Sequence, residues 1–179
     1  MKSFAAQVSE WAHKVEGAVE VVFRESAQEV VSEAQRPGPS VASTRADIKA
    51  GLGTIGRGKK KRAIAGPVPA AGQGGRLPVD TGFLRASLRA STTAPPPIDS
   101  QFVPADGKKY AFDESSIEAV IAGAEIGQTL YFGYTAAYAR AMEYGSGGGP
   151  AYAFVRTVAQ KWPSIVDAKA AELKGRLGL

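Results

Sequence analysis

The stretch from residue 4 to about residue 35 constrains the fold more than any other part of this chain. Phe4, Val8, Trp11, Val15, Ala18 and Val22 recur in alternating steps of four and three, the spacing of an apolar seam along one helix. Ser3 offers an N-cap, no proline interrupts the run, and Gly17 is its one glycine. Glu10, Glu16, Glu20, Glu25 and Glu29 mostly lie off the seam. The spacing predicts a single amphipathic helix, much longer than the usual length of about 12 residues. Its stripe is expected to be intramolecular core; the other reading is partial packing against a neighbouring copy.

"RPGPS" at 36–40 ends this helix, because proline can neither donate to it nor fit within it. Residues 41–77 then show neither the helical nor the strand period, apart from a short helical turn around Arg45–Leu52. A structureless run of this length inside a domain is usually functional or disordered. The chain thus reads as one domain, 1–179, with 37–77 a flexible basic insertion. Charge follows the same division. Residues 36–77 hold nine basic side chains and one acidic, whereas 1–35 hold three and six, and the remainder is nearly balanced. The net charge of +5 therefore sits in the insertion. Its centre is Arg57, Lys59, Lys60, Lys61 and Arg62, read either as a solvated tip or as a contact for a polyanion such as nucleic-acid phosphates or an acidic protein surface. With no aromatics between the lysines, any DNA contact would be blind to sequence.

Order resumes at "PVDTGFLRASLRAS", 78–91. Asp80 can accept from the free amides of a helix beginning at Thr81, with Leu84 and Leu88 on one face and Arg85 and Arg89 beside them. Residues 86–94 are expected to be a strand. After a second loop broken by Pro95, Pro96 and Pro97, residues 117–124 and 129–135 alternate like two strands of a hairpin joined at 125–128. Residues 136–146 read as a short helix closed by Gly145, and 145–150 as a flexible joint. Phe154, Val158, Trp162, Val166, Ala170, Leu173 and Leu177 form a last helical stripe that Pro163 kinks or splits. Helix, strands, then helix make the fold class α+β: a long N-terminal helix, a small antiparallel sheet with a hairpin, a C-terminal helix and a long basic inserted loop. The aromatics Tyr110, Tyr131, Phe132, Tyr134, Tyr138, Tyr144 and Tyr152 are expected in the sheet–helix core, some of them serving as interface anchors.

The chain carries little catalytic equipment. It has no cysteine and one histidine, His13 on the first helix, which reads as a surface residue. No nucleophile elbow, phosphate loop or metal-ligand spacing occurs. No catalytic residue, metal or cofactor is expected. No apolar run approaches the roughly 20 residues that a membrane span needs, so no membrane partner is expected either.

Three segments, taken in order, resemble one family. "GGRLPVDTGFLRASL" is similar to the P-V-D-T-G-x-L-R-x-S segment of neck, or tail-completion, proteins of long-tailed bacteriophages and related gene transfer agents. Tyr134 to Ser146, with Tyr138, Glu143, Tyr144 and Gly145, resembles that family's segment ending in E-Y-G. Pro150 to Arg156, with Phe154, resembles its entry into the last helix. The resemblance covers most of 1–35 and 73–175; residues 37–72 depart from it, because the family's link is much shorter. It implies a structural virion protein that acts in the neck and is assembled in the host cytoplasm. Its copies would form a homo-oligomeric ring, usually of six, between a portal or head-side adaptor and a tail terminator or tail tube. Genomic double-stranded DNA would pass through the lumen. It also implies that Asp80 caps, that Gly82 and Gly145 serve backbone geometry, and that Arg85 pairs with Glu143 or a neighbouring subunit. The alternative reading is a small non-specific DNA-binding module or assembly factor acting through residues 57–62.

Overall fold

The computed structural model of the protein describes residues 3–40, 54–55, 62–63, 77–79, 81–145 and 151–177. Helix α1 spans Phe4–Ala34. The Ser3 Oγ accepts the Ala6 amide at 3.3 Å, and Gln35 closes the far end two residues before Pro37. At 1.5 Å per residue α1 is a rod about 46 Å long. Only its second half is sunk in the core: Ser26, Ala27, Val31 and Ala34 are buried. Phe4, Val8 and Trp11 stand 82%, 47% and 60% exposed. The expectation of an intramolecular stripe along the whole helix is therefore corrected.

The reason lies in what the rest of the chain can cover. At the C-terminus, α5 (Phe154–Gln160) and α6 (Trp162–Leu177) follow one another, split at Lys161 one residue before Trp162-Pro163. α6 runs antiparallel to α1. Lys161 meets Glu33 at 2.9 Å, Lys169 meets Glu29 at 3.7 Å, and Arg176 meets Glu25 at 2.9 Å. These solvated pairs set the register more than they add stability. The apolar layer beneath, with Leu173 and Val158 buried, supplies the burial energy. Sixteen residues of α6 cannot cover the 31 of α1.

The central part differs from expectation at one element. Residues 117–124 are not a strand; they belong to helix α3, Glu114–Ala122. A short apolar run such as IEAVIAGA satisfies both periods, and its flanks decide between them. Asp113 is an N-cap, its Oδ1 accepting from the Ser116 amide at 3.3 Å and from the Ser115 hydroxyl at 2.7 Å. These hydrogen bonds, the Ser115 one foremost, hold its carboxyl below the usual value. Ile117 and Ile121, one helical turn apart, are both buried. The expected hairpin across 125–128 is accordingly a turn between α3 and the sheet, closed by Gln128 donating its amide to Glu125 at 3.1 Å.

The sheet itself is β5 (Leu88–Ser91) against β6 (Tyr131–Tyr134), antiparallel, with Leu88 opposite Tyr134 and Ser91 opposite Tyr131. A one-turn helix α2, Phe83–Ala86, precedes β5. Two further strand pairs belong to the stretch expected to be loop. β1 (Pro37–Ser40) and β4 (Leu77–Val79) pair in parallel, and β2 (Thr54–Ile55) and β3 (Arg62–Ala63) pair antiparallel, Ile55 opposite Arg62. The two ends of the insertion thus lie side by side, and Leu77 is completely buried. The turn expected at 45–52 and the joint at 146–150 lie outside the described residues. The architecture is α+β, with its core between the second half of α1, the sheet, α3 and α5. Among the described residues no helix is long and apolar enough to cross a membrane.

Candidate functional site

The residues carrying the resemblance form two linked contacts around helix α4, Ala139–Tyr144. The first is at its beginning. Gly82 takes φ +82°, a left-handed conformation, and turns the chain so that Phe83 enters the core. There the Phe83 ring meets Phe102 at 4.6 Å, Tyr110 at 4.8 Å edge-on, and Tyr138 at 6.1 Å. The Thr81 carbonyl accepts the Tyr110 amide at 2.8 Å, and its hydroxyl accepts the Phe83 amide at 3.3 Å. Helix α2 therefore begins at Phe83 instead of Thr81, and Asp80 lies outside the described residues. Leu84 is buried beside Phe83.

The second contact is at the other end of α4. Glu143 is 5% exposed, and its carboxylate reaches across to the start of α5. One oxygen accepts the Val155 amide at 2.9 Å and the other the Arg156 amide at 3.1 Å. A carboxylate there satisfies amides that a helix start leaves free, and it faces the positive end of the helix dipole. Arg156 closes the clasp. Its Nε lies 3.5 Å from the same carboxylate, another guanidinium nitrogen donates to the Glu143 carbonyl at 3.1 Å, and the group sits 5.2 Å over the Tyr144 ring. Gly145, at φ +81°, turns the chain away. On its return, Tyr152 donates to the Met142 carbonyl at 2.9 Å and Ala153 to the Glu143 carbonyl at 3.2 Å. Phe154 is fully buried, edge-on to Tyr134 at 5.0 Å.

Ala153 holds φ +51°, the one described non-glycine residue with positive φ. That conformation costs an L-residue roughly 1–2 kcal/mol. Glycine there avoids the cost but gives up about half of the gain to a freer unfolded chain. Ala153→Gly is expected to raise the unfolding free energy by about 0.5–1 kcal/mol, read from the midpoint of urea denaturation.

Arg85 does not pair with Glu143. Its Nε donates to the Gln35 side chain at 3.2 Å, and Gln35 returns a hydrogen bond to the Arg85 carbonyl at 3.1 Å. The pair ties the end of α1 to α2. Of the aromatics, Tyr134 turns its hydroxyl inward to donate to the Ala34 carbonyl at 3.1 Å. Burial pushes its acidity well below that of an ordinary phenol. Tyr144 remains 63% exposed. Of the basic cluster, Arg57, Lys59, Lys60 and Lys61 lie outside the described residues, and Arg62 falls in β3.

Between the clasp, the sheet and α1 lies an apolar groove of about 490 Å³, walled by Val30, Leu88, Phe132, Ile98 and Val155, with Arg140 and Tyr144 in its lining. Pro96 packs on the sheet at Gly133, where a Cβ would stand 3.0 Å from the proline carbonyl. Among the described residues, no three acidic or histidine side chains stand together as a metal site. His13 is an exposed neighbour of Glu16 at 3.5 Å. The carboxylate best enclosed, that of Glu143, is committed to helix amides and Arg156. The groove, with its apolar walls, has the character of a surface that can receive an apolar side chain.

Sequence reasoning missed Arg156 as the counter-ion of Glu143, Gln35 as the partner of Arg85, and Tyr110 as the lid over Gly82. Each is a contact between segments far apart in the chain, for which no local period gives a signal. Comparison of the chain with family models, with curated proteins and with solved structures finds no match.

Proposed function

We propose that this chain is a structural virion protein, one copy of a ring at the head–tail junction of a tailed phage, joining the portal or its adaptor to the tail while DNA passes. The reading rests on the ordered resemblance of residues 78–91, 134–146 and 150–156. One observation carries it further: the residues of those segments converge on α4 as a mechanical brace. Gly82 and Tyr138 lock one end, and Glu143 and Phe154 lock the other. Their hydrogen bonds and ring contacts fix elements to one another, and the enclosed Glu143 carboxylate is taken up by the Val155 and Arg156 amides. A protein whose distinctive residues are spent on rigidity, and which exposes large apolar side chains, is suited to be a building part.

The test is imaging of assembled particles with this chain located by density or by a labelled antibody. A closed ring between portal and tail tube is the expected result; absence from mature particles would refute it. A companion variant bears on the insertion. Reversing the charge of Lys59, Lys60, Lys61 and Arg62 together is expected to block joining of heads to tails. Normal infectious particles from that variant would remove the basic cluster from the account. Salt-sensitive, micromolar binding of duplex DNA by the free chain would instead favour the DNA-binding alternative.

A further inference from the structure

We infer that the first three turns of α1 dock into the groove between α1 and α6 of a second copy of this chain. The inference goes beyond the neck reading and stands on the helix surface alone. α6, with Lys161 just before it, pairs with α1 from Glu33 to Glu25 and shares a lining with it back to Val15, whereas Phe4, Val8 and Trp11, nearer the start of α1, are exposed. They continue the same stripe that α6 covers further along. Where the two helices part, they leave an apolar groove of about 380 Å³, walled by Val15, Val19 and Val22 of α1 and Val166, Ala170 and Leu173 of α6. Val19 is itself 52% exposed. An uncovered apolar helix thus lies end to end with an unfilled apolar groove on one surface.

The spacing makes that surface self-complementary. In an antiparallel pairing about a two-fold axis at Val15, Trp11 of one copy lies opposite Val19 of the other and Val8 opposite Val22. Each Trp11 then enters the other's groove, and both contacts form at once, as a two-fold interface requires. Charge permits the approach. At 3.6 residues per turn, Glu10, Glu16 and Glu20 lie about 110–150° around the helix from the centre of the stripe. Like charges therefore stay off the seam, with Lys14 at its flank. The same glutamates argue against a membrane surface as the occupant, since helices that lie on anionic bilayers carry lysine and arginine on their polar face.

The area indicates the strength. Aromatic side chains offer about 150–250 Å² each. At 82% and 60% exposure, Phe4 and Trp11 together present about 200–350 Å². The exposed valines and groove walls bring two copies to roughly 1,000 Å² in total, the low end of specific interfaces. Weak, micromolar association of a free pair is expected from an interface of this size, and, being two-fold, it is a contact separate from the one between neighbours in a ring.

Sedimentation of the full chain from about 1 to 100 micromolar tests this. The mass is expected to rise from the single-chain 18.6 kDa as concentration increases. Trp11→Glu, and separately Val19→Glu, should move the association midpoint upward at least about tenfold. Glu16→Gln, on the far face, should not. Trp11 is exposed, so its loss leaves the core intact, and unchanged circular dichroism checks this. A Trp162→Phe chain leaves Trp11 as the sole tryptophan, and its emission should shift to the blue as copies associate. A chain that stays monomeric throughout overturns the inference, as does one that ignores self-association and binds lipid vesicles. Self-association undiminished in both glutamate variants overturns this contact while leaving the ring reading in place. Concentration-dependent association lost in both variants sustains it, even if the chain proves absent from the neck.

Discussion

Gly82→Ala is expected to lower the unfolding free energy by about 3 kcal/mol or more, through two additive causes. At φ +82°, any L-residue bears the roughly 1–2 kcal/mol penalty of left-handed backbone. The added Cβ would also stand 2.4 Å from the Tyr110 carbonyl oxygen, a separation that backbone atoms do not tolerate. Relief would require moving Tyr110 away. That motion breaks the 2.8 Å hydrogen bond from its amide to the Thr81 carbonyl and opens the ring cluster that holds Phe83. Gly127 provides the control. It has φ +90° with nothing within 4 Å of a built Cβ, so Gly127→Ala should lose only the backbone penalty less what a stiffer unfolded chain returns, about 0.5–1 kcal/mol. Urea denaturation of both variants separates the causes. Equal losses at the two positions would mean that Tyr110 does not cap the turn.

Much of this fold was legible because its signals are local and long. The seam from Phe4 to Val22, the stop at 36–40 and the Pro163 break each announce themselves within a few turns of chain. What periodicity cannot say is whether an apolar face is covered. The seam reads alike at Trp11 and at Val22, yet only the latter lies within reach of α6. The strand expected at 117–124 failed for a different reason: eight residues are too few for the period to be unambiguous, and the deciding Asp113 cap precedes them. Parallel pairing of β1 with β4 left no mark in a stretch so rich in proline and glycine.

The candidate site was legible in its residue types and not in its contacts. Glu143 and Phe154 stand out in sequence, and so does the glycine-rich joint between them. That the Glu143 carboxylate caps the helix beyond that joint is a fact of three dimensions. Local capping signals run within four residues, whereas this cap spans 12 and 13. Arg85 illustrates the converse. Its charge invites pairing with an acid, but the neighbour that α1 brings to it is the amide of Gln35.

Glu143→Ala carries the second large expected effect, a loss of about 2–3 kcal/mol. Removing the carboxylate leaves the Val155 and Arg156 amides without their acceptor at a helix start packed against α4, and such orphaned donors are costly. Arg156 itself loses less, because its side chain is 46% exposed and water can take over. Arg156→Ala should therefore cost distinctly less than Glu143→Ala, and the double variant should cost little more than Glu143→Ala alone, since the partners share one contact. Glu143→Gln retains an oxygen acceptor but not the charge facing the helix dipole, and about 1 kcal/mol should be lost. Hydrogen exchange gives the local readout: the Val155 and Arg156 amides should lose protection in Glu143→Ala beyond what the global change explains. If Glu143→Ala stays within about 0.5 kcal/mol of the parent, the clasp does not hold α5. The wall it gives to the groove would then have to be maintained by Phe154 alone.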